Sequence, residues 1–324
     1  MHVLAEVLEH TLWPWQICSA NLAQALGNFM ESARSLTTED GITLSYRIWQ
    51  EGPQRRPLIL LLHGMASNMT RWSEFVELTS LKNNWDILRL DLRGHGQSFY
   101  RGKLSAEIWS HDLVRILEKE GYPRALFIGH SLGAQLAIRF ASLYPQRTSG
   151  LVLIDPILGK VSHGIARWGR QFRYLVAVLA VAVRFMNRLG LRRRQIPQRD
   201  LRVLDERMRE TVLAAGKQEE LVRQYSSPWP DLKHFPTANY LQEIIEMVRP
   251  LPPLAAITVP VLVVLSQGVT YIAPEISHQM IRQFQDVDTV MVDAYHWPLT
   301  ERPNEIREAI ERWCGRLREC AADM

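Results

Sequence analysis

The stretch Gly129-His-Ser-Leu-Gly133 holds the residues of this 324-residue chain best placed to do chemistry. Its pattern is G-x-S-x-G. A strand-like run, Arg124 to Gly129 (RALFIG), leads into it, and a helix-like run, Leu132 to Leu143, follows at once. A tight strand-to-helix turn needs small residues two positions either side of the serine, and it lifts the Ser131 hydroxyl above the sheet. The matching chemistry is nucleophilic attack on an acyl carbon with a covalent acyl-enzyme. A free hydroxyl attacks poorly at neutral pH, so a base must stand beside it. Of ten histidines, His296 fits best. It follows the last strand-like run, Thr289 to Val292, where a loop can hang it over the carboxyl ends of the strands.

The elements that must position these groups are legible as periodicity. Thr43 to Trp49 alternates and reads as a strand. Leu58 to Leu62 (LILLL), Trp85 to Asp91, Arg124 to Gly129, Leu151 to Asp155, Val259 to Leu265 and Thr289 to Val292 also read as strands, the continuous apolar runs as strands buried on both faces. Helical spacing separates them at Leu104 to Lys119, Leu132 to Leu143, Glu275 to Phe284 and Glu301 to Leu317. Strands alternating with helices predict an α/β fold with a mostly parallel central sheet flanked by helices. The rhythm stops after Pro156 and resumes after Ala256. We expect a helical N-terminal extension over residues 1–35, a core over 36–155 and 256–324, and an inserted helical cap over 156–255.

Four stretches share their order and spacing with one superfamily: LLLHGMASN at 60–68, DLRGHGQS at 91–98, GHSLG at 129–133 and YHWPLTERPNEI at 295–306. On these the chain resembles the α/β-hydrolase superfamily over residues 40–155 and 256–315. The resemblance implies the α/β-hydrolase fold, Ser131 as nucleophile and His296 as its base in the chain order Ser, acid, His. It places an oxyanion hole at the amides of Leu132, the residue after the nucleophile, and Met65, the residue after His63-Gly64. Serine at the turn argues against the dehalogenase and epoxide hydrolase branches, which carry aspartate there. The superfamily's usual acid follows the next-to-last core strand, and Val269 occupies that slot within SQGVTYIAP. Some members carry the acid one strand earlier, which here is Asp155 at the end of LVLID. A dyad, a cap carboxylate such as Asp231, and a chain that has lost catalysis are the alternatives.

His63 and His95 read as hydrogen-bonding groups of Gly-containing loops. His63, His130 inside the turn and Trp297 beside His296 are also candidate substrate contacts. The cap is expected to wall the pocket with Phe172, Tyr174, Leu175, Val178, Leu179, Phe185 and Met186, or to bury them in its own core. Either an ester, a lactone or a thioester with an apolar acyl or aromatic group is the expected substrate. A C–C bond hydrolase, an acyltransferase or release enzyme, and a non-catalytic binding protein on this fold are the other readings.

Composition narrows the rest. No metal cluster, dinucleotide fingerprint or P-loop is visible, so no cofactor is expected. Cys18, Cys314 and Cys320 show no pairing or metal spacing, which suits a reducing compartment. The first ten residues carry no Lys or Arg, unlike a secretory leader, and the longest apolar run, Leu175 to Val183, is too short to span a bilayer. A cytoplasmic protein is the expectation. The net charge of +4 is unevenly placed: Lys160 to Arg209 holds thirteen basic residues against three acidic ones, about +10. That is a solvated helical surface or a contact for an anionic membrane or an acidic carrier protein. Nothing points to nucleic acid, and the oligomeric state is open.

Overall fold

The computed structural model describes residues 31–52, 54–158, 164–268 and 274–322. Its centre is an eight-stranded sheet of order β1-β2-β4-β3-β5-β6-β7-β8. The strands are β1 (Ser32–Thr37), β2 (Thr43–Trp49), β3 (Leu58–Leu62), β4 (Asp86–Leu90), β5 (Ala125–His130), β6 (Thr148–Ile154), β7 (Val261–Ser266) and β8 (Val287–Val292). β1 and β2 pair antiparallel, and β2 runs antiparallel to β4; every other pair is parallel.

The apolar runs form strands because both faces of the sheet are covered. Leu58, Leu60 and Leu62 share one layer with Trp109, Leu113 and Ile116 of α1 (Ala106–Glu120) and Phe140 of α2 (Leu132–Leu143). Ile59 and Leu61 point the other way, into a layer with Trp72, Phe75, Ile310 and Trp313. Each fully buried leucine of this kind contributes about 2 kcal/mol of burial energy. Ser105 caps α1 by accepting from the Ile108 amide, and Gly121 closes it in the left-handed region at φ 72°.

Register decides what the sheet can present at its carboxyl edge. Leu62 lies opposite Gly129, and His130 opposite Ile154. Val264 lies opposite Ile154, and Ser266 opposite Val292. The residues that leave β3, β5, β6, β7 and β8 therefore emerge side by side.

Between β6 and β7 the chain is helical: α3 (Gly164–Gln171), α4 (Arg173–Arg188), α5 (Leu201–Met208), α6 (Gln218–Ser226), α7 (Pro228–His234) and α8 (Thr237–Val248). After β7 come α9 (Pro274–Ile281) and, beyond β8, α10 (Pro303–Ala322). The expected fold class, strand order along the chain and core helices all appear. One expectation is corrected at its end. The helical extension read over residues 1–35 lies outside the described residues up to position 30, and Ser32–Thr37 is an edge strand paired with β2. Its face is largely exposed, so it lacks the apolar signal that marks the buried strands.

Candidate active site

Ser131 sits at the turn from β5 into α2 with φ 53° and ψ −114°. Among the described residues, the non-glycine residues at positive φ are Ala66, Ser131 and Asp155. All three follow carboxyl ends of neighbouring strands, and such backbone costs roughly 1–3 kcal/mol at each position. The flanking glycines are required by close approach. A Cβ on Gly129 would fall inside contact distance of the Gly133 and Ala134 backbone, and one on Gly133 would strike the Leu62 and His63 carbonyls. The turn is thus wedged against the end of β3.

His296 comes off the loop after β8, and its Nε2 lies 2.8 Å from Ser131 Oγ. Two neighbours hold that loop. His130 Nε2 is 2.8 Å from the His296 carbonyl oxygen. The Glu301 carboxylate accepts from the amides on either side of His296, Tyr295 at 3.0 Å and Trp297 at 3.3 Å. Burial, with His130 adding to it, holds the His296 imidazole well below its ordinary pKa, so it stands neutral and able to accept a proton at neutral pH.

Asp155 leaves β6 one strand over. Its Oδ2 stands 4.0 Å from His296 Nδ1, beyond hydrogen-bond length. Its oxygens are taken by Ser266 at the end of β7, whose amide donates to Oδ1 at 2.7 Å and whose hydroxyl donates to Oδ2 at 2.5 Å. Burial pushes the Asp155 carboxyl up to about 7 against the effect of these two bonds. The structure therefore gathers Ser131, His296 and Asp155, with contact between the first two and a gap before the third. Val269 lies outside the described residues. Asp231, the carboxylate considered from the cap, pairs with Arg199 at 2.9 Å.

The loop after β3 runs over the serine. A Cβ on Gly64 would come 3.3 Å from His130 Nδ1 and 3.5 Å from Ser131 Cβ. Met65 follows directly, and Leu132 opens α2, so both lie beside Ser131. The next residue, Ala66, gives its amide to Glu243 Oε2 of α8 at 2.9 Å. The other Glu243 oxygen faces Nε2 of the enclosed His95 at 2.5 Å. His63 is a correction. Expected among substrate contacts, it is fully enclosed; the Leu92 amide donates to its Nε2 at 3.1 Å, and its Nδ1 meets the Gly64 carbonyl at 2.9 Å. Its loop-binding reading is the one the geometry matches.

Ser131 and His296 open into a cavity of about 380 Å³. His130 and Trp297 line it, with Met65, Tyr240 and Met247. The helical insertion adds Leu204, Tyr225, Arg199 and Asp231, and the core adds Arg71. Arg71 is tied to Asp205 of α5 and donates to Thr300 Oγ at 2.9 Å. Tyr225 and Thr300 hydroxyls meet the same Asp205 oxygen at 2.7 and 3.0 Å. Burial works against the Arg71 guanidinium, but Asp205 and Tyr225 together outweigh it and hold the group above its ordinary pKa. The apolar residues expected to wall the pocket, Phe172 before α4 and Tyr174, Leu175, Val178, Leu179, Phe185 and Met186 on it, do not line it and are exposed. They sit on the outer side of a helix whose inner side, at Val176, meets Tyr240 and Ile244. Sequence reasoning missed Ser266, Glu243 and Arg71, whose roles depend on partners far away in the chain, and Glu301, whose partners Tyr295 and Trp297 are close in sequence but are reached only by backbone amides.

Comparison with known proteins places these features in context. A model of the Alpha/beta hydrolase family matches residues 59–309. A curated relative, the sn-1-specific diacylglycerol lipase ABHD11 of Mus musculus, is 24% identical over 83% of this chain and 84% of its own. A serine hydrolase-like protein of Danio rerio is 33% identical over 34% of this chain, which spans about a third of that relative's length. Among solved structures, an enol-lactonase from Burkholderia xenovorans superposes with a TM-score of 0.64 at 18% identity, covering 87% of this chain and 100% of that one. A thermophilic esterase from Thermogutta terrifontis gives 0.62 at 22% identity, covering 89% and 99%. At these identities the structural likeness is one of fold.

Proposed function

Because the chain belongs to the α/β hydrolase family, we propose that it is a serine hydrolase acting on a carboxylic ester, lactone or thioester through an acyl-enzyme. The observation that carries this reading is the 2.8 Å approach of His296 Nε2 to Ser131 Oγ at the floor of a cavity. His296 takes the hydroxyl proton as Oγ attacks the acyl carbon, then returns it to the leaving group. The amides of Met65 and Leu132 receive the developing oxyanion; each such donor contributes about 10²–10³ in rate. Asp155 supplies negative charge to the imidazolium that forms between these steps. Water then enters by the same base and releases the acid.

The cavity volume suits an acyl or aromatic group of modest size. Its lining is more polar than a pocket for an apolar acyl group alone: Arg71, Arg199 and Asp231 share the wall with Met65, Leu204 and Trp297. A substrate with an apolar body and a polar end fits that mixture best. The helices between β6 and β7 act as its cap.

A fluorophosphonate probe tests the reading. Ser131 is expected to label, and Ser131→Ala to lose labelling together with about 10⁴- to 10⁶-fold in kcat. A panel of p-nitrophenyl esters, lactones and acyl thioesters then ranks the substrate classes. More than a tenth of wild-type turnover left in purified Ser131→Ala would reject the mechanism.

A further inference from the structure

α4 is built inside out for a helix of a water-soluble insertion. Its buried side is thin: Val176 is fully buried and Ala180 is 2% exposed. At about 100° per residue, the opposite side carries Tyr174, Leu175, Val178, Val181, Phe185 and, just past its end, Leu189. These are 73%, 51%, 65%, 55%, 59% and 63% exposed. No charged residue interrupts that arc. Single exposed apolar residues are ordinary, but a contiguous apolar face of this extent marks a contact surface.

The rim of the face is cationic. Arg173 stands at one end of α4, and Arg188, Arg192, Arg193 and Arg194 stand at the other. Among the described residues, none of these five forms an ion pair with a carboxylate, whereas Arg199, Arg202 and Arg209 further along each do. The cluster is crowded as well. Arg101 donates to the Arg193 carbonyl, and its own guanidinium is held below its ordinary pKa by burial and by the nearby charges of Arg192 and Arg193. Like charges gathered without anions beside an apolar face match an anionic interface, not water.

We propose that the outer face of α4 docks this protein onto an anionic lipid bilayer, lying in the plane of the interface. Charge complementarity selects this occupant: the arginines meet acidic headgroups while Val178, Phe185 and Leu189 enter the acyl boundary. The helix lies on the membrane and does not span it. Its sixteen residues reach about 24 Å against the roughly 30 Å of a hydrocarbon core. Among the described residues no helix is long and apolar enough to cross a membrane. The docking does not depend on the hydrolase reading.

Vesicle sedimentation with the whole chain tests the proposal, comparing phosphatidylcholine with and without phosphatidylglycerol at low and high salt. Binding is expected to the anionic vesicles and to weaken with salt. Val178→Glu with Phe185→Glu should lower it by more than about tenfold. The double replacement of Arg192 and Arg194 by Gln should lower it by about 30-fold; Arg193 is left in place because its guanidinium donates to the Lys233 and Phe235 carbonyls at 3.2 and 2.7 Å. Both sets lie on exposed positions, so melting temperature and turnover of a small soluble ester should stay unchanged and report intact folding. Absence of binding at low salt, or wild-type binding by the Val178→Glu, Phe185→Glu variant, would overturn the proposal. So would a wild-type dimer that these two substitutions split without vesicle binding, which assigns the face to a second copy. Capture of an acidic carrier protein with no vesicle binding would overturn it equally.

Discussion

The Asp155 carboxylate stands 4.0 Å from His296 Nδ1 while both its oxygens are bound by Ser266. The acid and the base are neighbours in charge without sharing a hydrogen bond. At this spacing and an effective dielectric near 20, a carboxylate and an imidazolium attract by about 4 kcal/mol. In the proposed mechanism that interaction exists only after His296 has taken the serine proton, so it would favour the transition state over the resting enzyme.

Asp155→Asn is therefore expected to lower kcat by about 10²–10³ while leaving KM and the fold nearly unchanged. Steady-state kinetics beside a thermal melt separates the two effects. Unaltered kcat would move attention to a Ser131–His296 dyad.

The pH profile gives a sharper readout. Asp155 is pushed up to about 7 by burial, so it carries its charge only above that pH. His296 is held well below its ordinary value and is already neutral there. Activity should rise as pH increases through about 7, with that limb belonging to Asp155. In Asp155→Asn the limb should vanish, leaving a fall only at the lower pH where His296 protonates. A limb that persists near 7 in the variant would assign it elsewhere.

Ser266 sets the position of that limb. Its hydroxyl and amide stabilise the ionised Asp155. Ser266→Ala removes one of the two bonds, raises the carboxyl further, and should move the acid limb of kcat/KM to higher pH. A shift to lower pH, or none, would separate Ser266 from the titration.

Glu301 holds the loop of His296 and does not line the cavity. It holds the amides of Tyr295 and Trp297, so Glu301→Ala frees the loop that carries His296. Misplacement of a reacting group by about 1 Å costs on the order of 10²-fold. We expect kcat to fall by about that factor with little change in KM, and Glu301→Gln, which keeps an acceptor oxygen, to recover part of it. A change confined to melting temperature would make the residue purely structural.

Gly133→Ala should destabilise by about 3 kcal/mol, at the upper end of overpacking costs, because its Cβ meets the Leu62 and His63 carbonyls and not a movable side chain. Chemical denaturation measures it. A neutral result would contradict the wedge between β3 and the start of α2.

The fold was legible because its signals are local. LILLL, ALFIG and LVLID are buried on both faces and read as strands without outside information. β1 was not legible, because SARSLT at an exposed edge has neither an apolar run nor clean alternation. Ser131 and His296 could be found because each sits at a strand end beside a recognisable pattern. Asp155 could be named from its place at a strand end, but its distance from Nδ1 depends on Ser266, 111 residues later. The cavity lining was misread for a related reason. Helical periodicity shows that one side of α4 is apolar, but not which side of the helix faces the protein.

Asp205 binds Arg71 of the core, Tyr225 of the insertion and Thr300 beside the His296 loop at a single carboxylate oxygen. The inserted helices are for that reason not a detachable module. The exposed pair Arg202–Glu77 and the half-buried pair Arg209–Glu74 add ties between the same two parts. The insertion and the loop bearing the base should then open in hydrogen exchange as one cooperative unit. Replacing this insertion with one that has no carboxylate at the place of Asp205 would leave Arg71 buried without its partner. An exchange of substrate specificity by swapping these helices must therefore carry Arg71 and Thr300 along with them.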